Sequence, residues 1–180
     1  MENPNFLFMA IIGCTPPGRL TEQHDVFFGI GPDMKSLVPQ MQNFWPEANG
    51  KIHVDAWRKV TSVDGYRIEI TDEPVSEELQ LFFLNLGGYK PGEFEEFHYK
   101  ILTVARTMAD AVKRAKATSF YKHFGFKGAT SHIDDRYTVD VDDIHLVKNV
   151  LSGSRFCITV KEGASDPDEL HIGYFKISGL

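Results

Sequence analysis

The stretch LFMAIIGCTPPGRLTEQH, from Leu7 to His24, returns without a gap as LFFLNLGGYKPGEFEEFH, from Leu81 to His98. One constant shift of 74 residues pairs Leu7 with Leu81, Phe8 with Phe82, Gly13 with Gly87, Pro17 with Pro91, Gly18 with Gly92, Glu22 with Glu96 and His24 with His98. Glycine, proline, glutamate and histidine do not substitute for one another, so chance is a poor explanation. The same shift pairs Met34 with Met108 and Val38 with Val112. After a short insertion KIHVDAW (Lys51 to Trp57) faces TSHIDDR (Thr130 to Arg136), which sets His53 against His132 and Asp55 against Asp134. A period this long exceeds a solenoid unit and predicts a duplicated small domain. The expected boundaries are a first repeat over 1–78, a second over 79–151 and an unrepeated extension over 152–180, with the repeats packed as one compact unit.

Within each copy the pattern reads strand, loop, strand, helix, strand, strand. Phe6 to Ile12 is a continuous apolar run, CTPPGRLTEQ carries the punctuation of a loop, and Val26 to Ile30 is a second strand. Met34, Leu37, Val38, Met41 and Phe44 recur at helical spacing after Asp33, a suitable N-cap. Pro39 requires that helix to kink or to start late. In the second copy Thr107 caps an uninterrupted helix with Met108, Ala111, Val112 and Ala115 toward the core. Strands over Lys51 to Val60 and Tyr66 to Ile70 meet at the turn signal Val63, Asp64, Gly65. Arg155 to Val160 and Leu170 to Ile177 read as a terminal β-hairpin that extends a sheet or covers an edge. The predicted class is therefore α+β: a tandem duplication of largely antiparallel sheet with two helices, a pseudo-twofold axis and a C-terminal β-hairpin.

Charge and cysteine usage remove several function classes. A formal charge of −6 over 180 residues argues against nucleic-acid and anionic-membrane partners, which favour clustered Lys and Arg. Cys14 and Cys157 are too few for a disulfide framework and are expected to be reduced thiols. Ile11, Ile12, Gly13 and Cys14 imitate a lipoprotein cleavage site, but no basic region precedes the short apolar run, and its internal echo cannot be a signal. No run approaches the roughly 20 apolar residues of a membrane span. A cytoplasmic protein is expected, and a homo-oligomer is compatible with the sequence.

The chemistry-bearing residues are the ExH and HxD pairs. On an extended chain residues two apart share a face, so Glu22 joins His24 and His53 joins Asp55, with Glu96, His98, His132 and Asp134 in the second copy. A carboxylate beside an imidazole can hold a divalent metal or carry out acid–base chemistry; it can equally orient a loop. Gly18 and Gly92, each after a proline, most simply supply the positive φ of a type II turn. No phosphate-binding loop, HExxH or GxSxG is present. The acidic residues Asp134, Asp135, Asp140, Asp142 and Asp143 do not have EF-hand spacing and read as a solvated turn. Phe44, Trp45, Trp57, Phe120, Tyr121 and Phe124 are mostly core residues.

At the strand, the GGxxPG-like loop and the ExH and HxD series, from about Phe6 to Leu151, the chain resembles an uncharacterised, mainly bacterial family, domain of unknown function fifteen-forty-three, here as two tandem copies. Copy two has Gly87 and Gly88 where copy one has Gly13 and Cys14. That resemblance implies no activity, substrate or cofactor. The leading expectation is a non-enzymatic module binding a small ligand or a protein, with no cofactor. The alternative is a divalent-metal-dependent enzyme: counted from the second strand, the order strand, helix, three strands resembles the unit of the vicinal oxygen chelate superfamily, whose paired units bind metal through His and Glu.

Overall fold

The apolar run of the first copy forms β1 (Phe6–Cys14), buried along almost its whole length, as a strand in mid-sheet must be. The computed structural model describes residues 5–73, 78–89, 92–118, 139–151, 156–163 and 166–180. The chain divides into two units, Met1–Val75 with Gly153–Leu180, and Ser76–Ser152. Every strand pairing among the described residues is antiparallel.

In the first unit β1 lies between β2 (Gln23–Gly31) and β3 (His53–Val60). One face of this sheet, including Phe8, Ala10, Ile12, Phe27 and Val54, packs on Leu37 and Met41 of the helical segment. Pro39 makes that helix start late: a 3-10 turn over Lys35–Leu37 precedes α1 (Val38–Phe44), so the proline falls in the first turn, where its missing N–H leaves no bond unmade. Ser36 N–H donates to the Asp33 carboxylate at 2.8 Å, the local role expected of that residue. A two-residue turn joins β4 (Ser62–Val63) to β5 (Tyr66–Thr71), with Asp64 at φ 53° and Gly65 at φ 81°. Two positive φ angles in succession mark a type I′ turn, which matches the twist of a hairpin.

In the second unit β6 (Gln80–Tyr89) takes the place of β1, between β7 (Glu96–Ala105) and β8 (Val139–Leu146). Helix α2 (Met108–Ala115) begins at Thr107, whose hydroxyl accepts from Asp110 N at 3.2 Å. Ala111 and Ala115 pack on Phe82, Leu84 and Leu86, with Val112 partly buried beside them. Met108, the first residue of the helix, is exposed rather than core-facing. A further short helix, α3 (Val147–Val150), follows β8 where the first unit continues into β4 and β5. Among the described residues the final strand expected in the second copy therefore has no counterpart there.

Two more expectations change. The C-terminal strands are not a hairpin: β9 (Cys157–Glu162) pairs with β5, and β10 (His171–Lys176) pairs with β3. They extend two different sheets of the first unit, giving the orders β4-β5-β9 and β10-β3-β1-β2. Asp140, Asp142 and Asp143 lie within β8, not in a turn. The class remains α+β. Among the described residues no helix is long and apolar enough to cross a membrane. The element order likened to the vicinal oxygen chelate unit omits β1, yet both β2 and β3 pair on β1, so the sheet is not built on that order.

What fixes β10 is a buried carboxylate just before it. Asp168 Oδ1 accepts from Thr61 N at 2.9 Å, Thr61 Oγ1 at 2.8 Å and Ser62 N at 3.0 Å. Arg58 Nη1 lies 3.8 Å from Oδ2, and the Asp168 side chain is only 1% exposed. Asp168→Ala removes the acceptor from donors already shielded from water, at roughly 1–3 kcal/mol for each one left unsatisfied. A lowered urea midpoint is the expected result; a midpoint equal to that of the parent protein would mean that this carboxylate is not the anchor.

Candidate metal centre

The ExH and HxD residues of the first copy meet over a glycine. Gly13 faces His24 on β2 and His53 on β3, one on each side in the ladder. Glu22, just before β2, lies two residues from His24 on the extended chain. Between Ile11 and Ile12 the β1–β3 register shifts, Ile11 facing Ala56 and Ile12 facing Val54. Asp55 is the extra residue of that bulge, which aims its side chain to the side of His53.

Strands neighbour one another at about 4.8 Å, so His24 and His53 start nearly 10 Å apart at their backbones. Their side chains nevertheless converge. His24 Nε2 lies 3.4 Å from Glu22 Oε2 and 3.1 Å from Asp55 Oδ2. His53 Nε2 lies 3.3 Å from Glu22 Oε1 and 3.3 Å from the same Asp55 oxygen. Ligand atoms of Glu22, His24 and His53 all fall within 4.8 Å of one another. A Cβ on residue 13 would stand 2.6 Å from His53 Nε2, 2.9 Å from Asp55 Oδ2 and 2.9 Å from His24 Cδ2. Only glycine leaves room for this arrangement.

Burial is graded across the cluster. The His53 side chain is 8% exposed, Asp55 31%, His24 41% and Glu22 46%, so the site has a dry floor and an open mouth. His53 Nε2 and Asp55 Oδ2 are buried atoms without a hydrogen bond, although they lie 3.3 Å from each other. The field is negative: the neighbouring Cys14 thiol is pushed up first by burial and then by the charges of Glu22 and Glu47. From β10, the Tyr174 ring stacks on His53 with centroids 4.5 Å apart, and His171 stacks on Trp57 at 3.7 Å. Trp45 and Trp57 pack against the core, whereas Phe44 is exposed and meets Phe27 in a near-perpendicular ring contact; Phe120, Tyr121 and Phe124 lie outside the described residues. A cavity of about 390 Å³ lined by Phe6, Val60 and Ile68 includes none of the cluster residues.

The second unit has a related but poorer arrangement. Gly87 faces His98 on β7 and Asp140 on β8, and a register shift between Asn85 and Leu86 leaves Asp142 as the bulged residue. Glu96, His98 and Asp142 bring ligand atoms within 4.8 Å of one another, all three exposed, with His98 Nε2 3.5 Å from Asp142 Oδ2. A Cβ on Gly87 would collide with the Asp142 carboxylate. A hydrogen bond to Glu96, aided by burial and the charges of Glu96 and Asp142, raises the Tyr89 phenol above its ordinary value.

His132 and Asp134 lie outside the described residues. The ladder positions held by His53 and Asp55 in the first unit are held by Asp140 and Asp142 in the second. Matching HID to HVD is therefore displaced by eight residues (140 − 132). Aligning the shared Val-Asp of HVD at 53–55 with DVD at 140–142 gives the observed register. Asp142 and Tyr174 were not among the expected site residues; the first was legible through that dipeptide, whereas nothing local marks Tyr174, whose partner lies more than a hundred residues earlier. At the loop before Glu22, Gly18 has φ 78° and Arg19 N donates to Pro16 O at 3.2 Å, the type II turn expected of Pro17-Gly18.

No curated protein matches this chain. The crystal structure of a protein Il1583 from Idiomarina loihiensis is similar to it, with a TM-score of 0.62 at 25% sequence identity over 95% of this chain and 96% of that one. Residues 19–70 match the family model described as Domain of Unknown Function (DUF1543), which supports that family for the segment containing Glu22, His24, His53 and Asp55.

Proposed function

We propose that the first unit holds one divalent transition-metal ion at Glu22, His24 and His53, with Asp55 as a fourth donor, and that the ion keeps an exchangeable position for a small ligand. The observation that carries this reading is the convergence with Glu22 and His24 of two buried atoms that make no hydrogen bond, His53 Nε2 and Asp55 Oδ2. Buried polar atoms without a hydrogen bond are costly, and a cation between the four side chains would satisfy both. Spacing agrees with this. Zinc–nitrogen and zinc–oxygen bonds of about 2.0–2.1 Å imply about 3.3–3.4 Å between tetrahedral neighbours, close to the 3.1–3.4 Å between each imidazole Nε2 and its nearest Glu22 and Asp55 oxygens, Glu22 turning Oε2 to His24 and Oε1 to His53.

Two imidazoles with carboxylates suit zinc, manganese, iron or cobalt better than calcium, which takes oxygen donors, or copper(I), which takes sulfur. The half-exposed mouth at Glu22 and His24 favours an open coordination position over a closed structural site. Such a position is what a metal-dependent enzyme uses, and it is equally what a small-ligand-binding module needs. This reading rests on the residues, not on element order. The second cluster offers one imidazole, and Tyr89 already bonds to its Glu96; the first unit is the stronger site.

We infer also that the two units descend from one duplicated unit. The register shifts at Ile11/Ile12 and Asn85/Leu86 are separated by the same 74 residues as the sequence echo, and both sheets set the central strand between its chain neighbour and the strand that follows the helix.

Elemental analysis of protein purified without chelators, then refilled with zinc or manganese, should give about one tightly held ion per chain. His53→Ala and His24→Ala should each abolish tight binding while leaving the circular dichroism of the fold in place. Substoichiometric metal after refilling would sink the proposal. Gly13→Ala separates the centre from its scaffold: it should weaken metal binding at least about tenfold by displacing the ligands, whereas Gly18→Ala, whose new Cβ meets nothing within 4 Å, should cost only some stability through its positive φ. Isothermal titration of both variants checks the contrast.

A further inference from the structure

The C-terminal strand reaches the metal centre from the far end of the chain. Strand β10 faces β3 with Ile172 opposite Ala56 and Phe175 opposite Val54. Two residues, Gly173 and Tyr174, therefore oppose the single Asp55, and β10 carries a bulge at the very level of the ligands. Gly173 adopts φ 144°, a conformation open to glycine and strained for other residues. The outcome is that the Tyr174 ring lies over the His53 imidazole, 4.5 Å between centroids and 29° between planes. Tyr174 remains 65% exposed, so its placement gains little from burial. Its contact with His53 is what the bulge accomplishes.

We infer that Tyr174 is a positioning residue of the metal centre, holding the His53 ring in the plane that directs Nε2 at the ion, and that β10 is thereby part of the site. The inference rests on the metal reading given above. Around His53, Glu22 Oε1 and Asp55 Oδ2 meet Nε2 at 3.3 Å each, the backbone at Gly13 lies under the same atom, and the His24 ring stands nearly perpendicular at 6.3 Å between centroids. The Tyr174 ring is the contact stacked along the imidazole plane; without it the imidazole gains freedom to rotate about its side-chain bonds. Residues that orient a ligand from outside the coordination sphere commonly govern metal affinity by 10- to 100-fold. Asp168, bound to Thr61 and Ser62, anchors the entry to this strand.

The test uses the full chain, zinc titrations and the absorption spectrum of the cobalt(II) form. Tyr174→Phe keeps the ring and should bind zinc within about twofold of the parent, with the same cobalt spectrum. Tyr174→Leu keeps an apolar strand residue without a stacking face; it should weaken zinc binding by about tenfold or more and shift the cobalt bands, with the metal-free melting temperature unchanged. Tyr174→Ala should do the same, and the leucine variant decides the matter if alanine disturbs the strand. Parent-like affinity and spectrum in Tyr174→Leu would overturn the inference while leaving the metal site standing. A parent protein that binds neither zinc nor cobalt would remove both.

Discussion

The absent side chain at residue 13 is the constraint on which the centre depends. Two histidines on strands either side of β1 are separated by two strand spacings, about 9.6 Å, and would ordinarily stand apart with a third side chain between them. At Gly13 nothing stands between them, and their Nε2 atoms share a single Asp55 oxygen at 3.1 and 3.3 Å. The bulge completes the arrangement. In a regular β1–β3 ladder Asp55 would occupy a register position of its own; as the extra residue it leans toward the gap over Gly13. Glycine and bulge each weaken a sheet locally. Both features coincide at one level of the ladder, and again at Gly87 and Asp142, where an ordinary strand pair would hold the sheet better.

The sheet tolerates this weakness because its stability lies elsewhere. Along β1 the residues before Gly13 are almost all buried, and Phe8, Ala10 and Ile12 join the helical segment in one apolar cluster. Along β2 the polar end, Gln23 to Asp25, is exposed and the remainder buried. The polar side chains are thus gathered at the strand ends, where water still reaches Glu22 and His24, while His53 alone is almost fully buried. Burying all four charged or ionisable groups would be far more expensive. The gradient reconciles a defined arrangement of donor atoms with access from solvent.

Much of this was legible in the sequence because the signals are local. The apolar runs of β1 and β6, the Pro-Gly turn at Gly18, the Asp64-Gly65 hairpin turn and the Thr107 cap each follow from residues adjacent in the chain. The ExH and HxD pairs were recognisable as face-sharing residues for the same reason. What was not legible depends on register. Pairing TSHIDDR with KIHVDAW rewarded residue identity, whereas the ladder selects Asp140 and Asp142 because the register shifts between Asn85 and Leu86 as it does between Ile11 and Ile12. The terminal strands looked like a hairpin because they are neighbours in sequence; instead each pairs on a different strand of the first unit, β9 on β5 and β10 on β3.

That division of the terminal strands links topology to the centre. The first unit is discontinuous, leaving off at Val75 and resuming at Gly153, so β3 forms its last ladder with residues made after the whole second unit. Joining segments so far apart is not prohibitive, since each doubling of a closing loop adds only about 0.6 kcal/mol, and an intervening unit that folds by itself shortens the effective loop. Contacts of such high sequence separation nevertheless tend to form late. Strand β10 also covers β3, which would otherwise be a sheet edge able to pair with another chain. The same strand that closes the sheet sets Tyr174 on His53. Closure of the edge and the stacking on His53 therefore depend on one ladder, and both wait on β10 to pair with β3.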